Sequence, residues 1–207
     1  MKEIITVKLP NNRSYQINIG YDNLNDLIKF LNKNYSNSKI AIITDDNVAP
    51  LYLKSLSNLL STNKIKNCEI VIPAGEQSKS FKYFEFVTES LLNHKIQRDD
   101  LILALGGGVV GDIAGFAAGV IRRGIDIVQI PTTLIAQVDS SIGGKTAIDT
   151  TYGKNLIGIF HQPKMILINT KYLTSLLKKD ILSGYAEILK YSLINDKEFF
   201  EWLEKNY

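Results

Sequence analysis

Apolar and polar residues change rhythm along this chain, and the rhythm alone predicts most of its elements. Residues 3–8 and 15–19 alternate around Asn11-Asn12, which predicts a β-hairpin or meander. Ile40–Ile43 is a short β-branched run that ends at Asp45-Asp46-Asn47. Pro50 then stands where a helix can start, and Leu51, Leu53, Leu56, Leu59 and Leu60 give that helix an apolar face. Ile70–Ile72 reads as the next strand, and Phe81, Phe84, Val87 and Leu91 recur at helical steps. Leu101–Leu105 is a continuous apolar run followed by three glycines, and Asp112–Ile121 reads as a buried Ala/Gly-rich helix. Ile127–Ile130 is a further strand closed by Pro131.

Strands alternating with helices predict a parallel sheet covered on both faces, with ligands at the carboxyl ends of its strands. The loops at those ends hold Asp45–Asn47, Gly75–Lys79, Gly106–Asp112 and Pro131–Thr133, where polar residues and glycines concentrate. From Leu173 onward the pattern turns helical, first over 180–194 and then over 198–206. The fold class is therefore α/β, with a Rossmann-like domain over 1–170 and the start of an α-helical domain over 171–207. Two helices are too few to enclose a core of their own, so Ile181, Tyr185, Ile188 and Leu189 are expected to form an exposed apolar face.

Composition narrows the function without naming it. The chain has 207 residues, 45% of them hydrophobic, which places it with globular proteins. Its net charge of +3 is spread along the sequence, so no basic block marks a nucleic-acid partner. The single cysteine, Cys68, excludes an intramolecular disulfide and fits a reducing compartment. The longest apolar stretches are too short to span a membrane, so a cytoplasmic location is the default.

Gly106-Gly107-Gly108-Val109-Val110-Gly111-Asp112 follows a strand and opens a helix, the setting in which G-x-G-x-x-G signals a dinucleotide. Glycines let the backbone approach a phosphate, and the free N–H groups of a helix start attract its charge. A tight helix-packing turn is the plain alternative. The acidic residue about 20 positions on is Asp126, which precedes the next strand instead of ending it. A standard ribose contact is therefore not expected there. Ser140-Ser141-Ile142-Gly143-Gly144-Lys145-Thr146 looks like a P-loop, but its required first glycine falls at Asp139, which excludes that reading. What remains is a polar loop with Asp139, Lys145, Lys154 and Asn155 among glycines, suited to a phosphorylated or polyhydroxylated ligand. His94 ends a helix, where a cation suits the dipole, and His161 sits in a turn before Pro163, where a ligand contact stays open; with no HExxH motif or Cys cluster the sequence offers no complete metal site. Glu187 and Lys190 share a helix face, either as a surface ion pair or in a buried, packed setting beside Gly184, Ala186 and Leu189.

Eight stretches taken together resemble the 3-dehydroquinate synthase family, in order and with family-like spacing. They are Gly75–Lys79, Gly106–Phe116, Arg123-Gly124, Pro131–Leu134, Gln137–Asp149, Gly153–Asn155, Phe160–Pro163 and Ser183–Tyr191. The run from Asp139 to Asp149 also differs from the corresponding stretch of other sugar-phosphate cyclases and of glycerol dehydrogenases. The resemblance implies an NAD-binding α/β domain, an α-helical metal domain and an active site between them. It implies that Asp45, Asn47, Glu76, Lys79, Gly107, Gly108, Asp112, Thr132, Thr133, Ser140, Lys154 and Ser175 hold NAD. Arg123, Asp139, Lys145, Asn155 and Lys190 would serve the substrate, and Glu187 would be one of three ligands to a divalent metal, zinc or cobalt. Where the family reads Thr-Leu-Pro, this chain has Ser175-Leu176-Leu177. The family's other two metal ligands are histidines that match neither His94 nor His161, so the chain is expected to be an N-terminal portion.

The implied reaction converts 3-deoxy-arabino-heptulosonate 7-phosphate, a phosphorylated keto-sugar acid, into 3-dehydroquinate and phosphate, a shikimate-pathway step of aromatic amino acid biosynthesis. Hydride leaves a ring hydroxyl for NAD, phosphate leaves by β-elimination, the hydride returns, and the opened ring closes by an aldol step. The net result is a lyase reaction, and the resemblance further implies a homodimer when full length. A metal-dependent NAD alcohol dehydrogenase of the glycerol dehydrogenase type, a related sugar-phosphate cyclase, and a non-catalytic nucleotide-binding module stand as alternatives. Release of NADH would mark the first.

Overall fold

The strands predicted from β-branched runs all form, and most are buried on both faces. The computed structural model describes residues 2–11 and 13–206; Asn12, in the predicted first turn, lies outside the described residues. In chain order the elements begin with β1 (Lys2–Val7), β2 (Tyr15–Gly20), α1 (Leu24–Asn34), β3 (Ile40–Asp45), α2 (Lys54–Thr62) and β4 (Asn67–Ile72). Next come α3 (Phe81–Asn93), β5 (Leu101–Gly106), α4 (Gly108–Val120), β6 (Asp126–Pro131), β7 (Lys145–Thr150) and β8 (Gly153–Phe160). The chain continues through β9 (Met165–Asn169), α5 (Lys178–Asn195) and α6 (Lys197–Asn206).

Seven strands form one sheet in the order β1-β2-β9-β6-β5-β3-β4. Only the β1–β2 pair is antiparallel. Alternate residues of each central strand feed opposite cores. Ile40 and Ile42 pack with Leu27, Leu31, Leu56 and Leu60 under α1 and α2. Ala41 and Ile43 pack with Val87, Leu91, Ile113 and Ala117 under α3 and α4. Fully burying one such side chain stabilises the fold by about 1.5–3 kcal/mol, which is why both helical layers are held.

After β3 the chain moves outward to β4 and then returns to place β5 on the other side of β3. The strand order therefore reverses between β3 and β5, which opens a crevice beyond their carboxyl ends. At the opposite end α2 and α3 finish alike. Lys64 and Lys95 adopt φ of 61° and 57°. The following Ile65 and Ile96 donate their N–H groups to Leu60 and Leu91 and bury their side chains.

The stretch after Ser140 departs from the expected polar loop. Residues 145–160 form an antiparallel hairpin, β7 with β8, laid directly on α4. Small residues on the helix make that contact possible: a methyl group added at Gly119 would sit 1.8 Å from Ile159 Cδ1. α5 approaches the α/β body as closely, because a methyl at Gly184 would lie 2.6 Å from Leu134 Cβ. The expected apolar face of α5 also shifts. Ile181, Tyr185, Ile188 and Leu189 are half-buried, whereas Leu182, Leu193 and Ile194 are the exposed ones. Packing against the turn before Ser140 covers the first set. Among the described residues no helix is long and apolar enough to cross a membrane.

Candidate active site

The crevice at the strand reversal holds a cavity of about 700 Å³. Its walls come from four strand ends: Asp45 and Asn47 after β3, Gly75, Glu76 and Lys79 after β4, Gly107 and Gly108 after β5, and Thr132 and Thr133 after β6. Asp112 on α4, Ser140 and Ser175 complete the set the resemblance assigned to NAD, apart from Lys154. Lys154 stands at the rim, paired with Glu76 at 3.1 Å. A second cavity of about 490 Å³ is lined by Asp139, Lys145 and Asn155, and it shares Asp112 and Ser140 with the first.

Local structure sets each polar group. Asp45 Oδ1 accepts the N–H groups of Asn47 and Val48 at 3.0 and 2.9 Å, fixing the turn after β3. Burial nevertheless pushes its carboxyl above the usual aspartate value, outweighing those two bonds. Lys79, with its side chain only 5% exposed, donates to Asp112 Oδ2 at 2.7 Å. Burial raises Asp112 as well, and the Lys79 hydrogen bond and charge pull it part of the way back. Ser175 Oγ accepts from the Tyr52 hydroxyl at 2.5 Å and donates to the Tyr172 carbonyl.

Two features of the larger cavity fit a dinucleotide. The buried hydroxyl oxygens of Thr132 and Ser140 have no hydrogen-bond partner, and both residues line this cavity. An unpaired buried hydroxyl is costly and rare, so it points to a missing polar partner. Gly108, the first residue of α4, has no room for a side chain, since a Cβ there would lie 2.9 Å from Ser140 Oγ. No side chain caps this helix start, and its free N–H groups suit a phosphate.

The remaining expected residues are distributed unevenly. Asp139 accepts a 2.6 Å hydrogen bond from the Tyr191 hydroxyl, a partner that sequence reasoning missed. Glu187 pairs with Lys190, and its side chain is 15% exposed while that of Lys190 is 53% exposed. The bare ion pair is therefore the better description, with only the acid partly covered. Arg123 lies in the turn after α4, exposed, at the far end of that helix from the glycine loop, and lines neither cavity. His161 Nε2 sits 2.8 Å from the Ile125 carbonyl. Among the described residues no group of three or more His, Cys, Asp or Glu side chains could hold a metal, so Glu187 alone does not make a metal site.

Comparison with known proteins accounts for this arrangement. The sequence model of the 3-dehydroquinate synthase N-terminal region matches residues 69–183. The 3-dehydroquinate synthase of Rhizobium meliloti (strain 1021) is 50% identical over 195 residues, covering 94% of this chain and 52% of that protein. The enzyme of the same name from Bartonella tribocorum (strain CIP 105476 / IBS 506) is 47% identical over 207 residues, covering 98% and 55%. The chain thus spans about half the length of the curated relatives it matches. Among solved structures, a 2-epi-5-epi-valiolone synthase from Streptomyces hygroscopicus subsp. jinggangensis 5008, with NAD+ and Zn2+ bound, superimposes with a TM-score of 0.84 at 32% identity over 96% of this chain and 55% of that one. A 2-deoxy-scyllo-inosose synthase complexed with carbaglucose-6-phosphate, NAD+ and Co2+ gives 0.84 at 25%, over 94% and 52%. An iron-containing alcohol dehydrogenase from Thermotoga maritima gives 0.69 at 18%, over 84% and 51%, a likeness of fold alone.

Proposed function

The chain belongs to the 3-dehydroquinate synthase family, and we propose that it forms the cofactor-binding half of that enzyme. It would bind NAD in the larger cavity and help convert 3-deoxy-arabino-heptulosonate 7-phosphate into 3-dehydroquinate and phosphate. The observation that carries this reading is the cavity at the strand reversal, with two residues bearing orphaned hydroxyls and a helix N-terminus that no side chain caps on its walls. When bound there, NAD supplies a hydride acceptor that later returns what it took.

In this reading the chain's own groups divide the work. The N–H groups at the start of α4 would receive the pyrophosphate, Asp45 and Asn47 would help hold the rest of NAD, and Thr132 and Ser140 would gain the partners they lack. Lys145, exposed and in no ion pair among the described residues, presents its ammonium to the smaller cavity. There it would offset negative charge on substrate oxygens. Asn155 and Asp139 orient hydroxyl groups as donor and acceptor. Lys190 remains a proposed substrate contact, Arg123 is left without a role in these two cavities because it lies at the far end of α4, and α5 and α6 are the beginning of a helical unit. Glu187 is offered as one corner of a divalent metal site of the kind that binds Zn2+ or Co2+ in the relatives. No step is assigned to a metal, because the described residues do not complete its coordination.

Calorimetric titration with NAD tests the reading. Gly108→Asp puts bulk and negative charge where the pyrophosphate is placed and is expected to abolish binding. Binding of equal affinity in wild type and variant would reject the site.

A further inference from the structure

The two cavities are joined by one ammonium group. Lys79 lines the larger cavity and Asn155 the smaller. An ammonium has three N–H donors. Lys79 gives one to Asp112 Oδ2 at 2.7 Å and one to Asn155 Oδ1 at 2.5 Å. The backbone reinforces this join, because the Asp149 N–H donates to the Lys79 carbonyl at 2.7 Å and Asp149 Oδ1 accepts the Asn155 N–H at 2.8 Å. Lys154, next to Asn155, pairs with Glu76 on the larger cavity's wall. Asn155 adopts a φ of 58°, a left-handed conformation that Asn enters more readily than most residues but that still relies on its partners. The tip of the β7–β8 hairpin is thus latched to the Glu76–Lys79 turn by three polar contacts, two from Lys79 and one from Glu76.

We propose that Lys79 couples the two cavities: a ligand that engages Lys79 and Asp112 in the larger cavity fixes the Asn155 carboxamide and the hairpin tip in the smaller one. The proposal rests on the larger cavity being a dinucleotide site. Its physical basis is that a nearly buried ammonium cannot drop an acceptor without a large desolvation cost. A ligand oxygen that immobilises the ammonium therefore immobilises its other acceptors too. Linkage is reciprocal, so order at Asn155 strengthens cofactor binding by the same factor, about 5–150-fold for ordinary couplings.

Hydrogen–deuterium exchange on the full chain, with and without saturating NAD, reads this directly. Two reporters are the N–H groups of Asp149, bonded to the Lys79 carbonyl, and of Asn155, bonded to Asp149 Oδ1 within the hairpin tip. NAD is expected to slow exchange in the peptide spanning 149–157 by roughly fivefold or more, leaving the distant β1–β2 pair unchanged. Asn155→Gly removes the carboxamide while fitting the left-handed backbone without strain, so the fold is retained. In that variant the NAD-dependent slowing should vanish, and the Kd for NAD should rise by the factor seen as protection in the wild type. Binding of NAD with no change at the hairpin overturns the coupling and leaves the cofactor reading standing. Slowing that persists in Asn155→Gly assigns the coupling to another route and overturns the role of Lys79. No NAD binding by the wild type removes the cofactor reading, and the coupling falls with it.

Discussion

Deleting the Lys79 ammonium should expose how much of the site is held by one charge. Lys79→Met keeps most of the stem volume but leaves the Asp112 carboxylate, 18% exposed, facing no cation. Removing one partner of a buried ion pair costs about 3–5 kcal/mol. Asp112 keeps some contact with water, so about 2–3 kcal/mol is the magnitude expected here. In a chain of this size each kcal/mol moves the midpoint by about 2–4 °C, so thermal unfolding at neutral pH should fall by roughly 4–12 °C. The double variant Lys79→Met/Asp112→Asn replaces the stranded charge by an amide and should be more stable than Lys79→Met alone. The pH dependence has a definite sign. Burial already raises Asp112, and without Lys79 its folded form binds a proton still more readily than its unfolded form. Stability is then regained as pH falls through the folded value, so the gap between single and double variants should close toward acid pH. A midpoint for Lys79→Met within about 0.5 kcal/mol of wild type, or a double variant weaker than the single, would refute the reasoning.

Three further outcomes follow from the same structure. Asp45→Asn keeps an acceptor for the Asn47 and Val48 N–H groups while removing a charge that burial disfavours. The variant should unfold at a higher temperature near neutral pH, with the advantage lost as pH falls through the raised folded value and gone below the ordinary aspartate value of 3.8. Lys64→Gly relieves a left-handed lysine at the end of α2 and should stabilise the chain by about 0.5–1 kcal/mol in a denaturant titration. Zinc titration with a competing chelator should show no tight site in this chain, since the described residues offer Glu187 no companion ligands.

How much was legible in the sequence depended on how local the determining physics was. Strands β3, β5 and β6 announced themselves because each is buried on both faces and so reads as an unbroken apolar run. Helix α1 went unread although Leu24, Leu27, Ile28 and Leu31 have helical spacing. Strand β9 also went unread, although its four apolar residues match the length of the Ile40–Ile43 run. The β7–β8 hairpin was hidden by its glycines and charges. Its β8 strand is largely exposed and its register depends on a helix that precedes it by some distance in the chain. The loops that wall the larger cavity were legible because strand ends carry short glycine-rich and polar signals, and eleven of the twelve residues that the family resemblance assigned to NAD line that one cavity. The contacts that bind the site together were not legible. Lys79 meets Asp112 and Asn155 across separations of 33 and 76 residues, and Tyr191 meets Asp139 across 52.

The unpaired polar atoms sharpen the distinction between scaffold and site. Asn18, Asn23 and Asn169 each leave one side-chain atom unpaired, yet Asn23 and Asn169 use their other ends to tie β2, β9 and the following turns together. Their orphaned atoms are the residue of structural bonds already made. Thr132 and Ser140 differ, since no side-chain hydrogen bond of theirs is made and both stand on a cavity wall. A valine at Thr132 would fill the same volume without a buried hydroxyl to desolvate, and would be favoured if packing were its task. The hydroxyl therefore makes physical sense as a group reserved for a polar ligand. Thr132→Val should accordingly leave the unfolding midpoint unchanged or raise it while weakening NAD binding; a loss of stability with unchanged binding would return Thr132 to the scaffold.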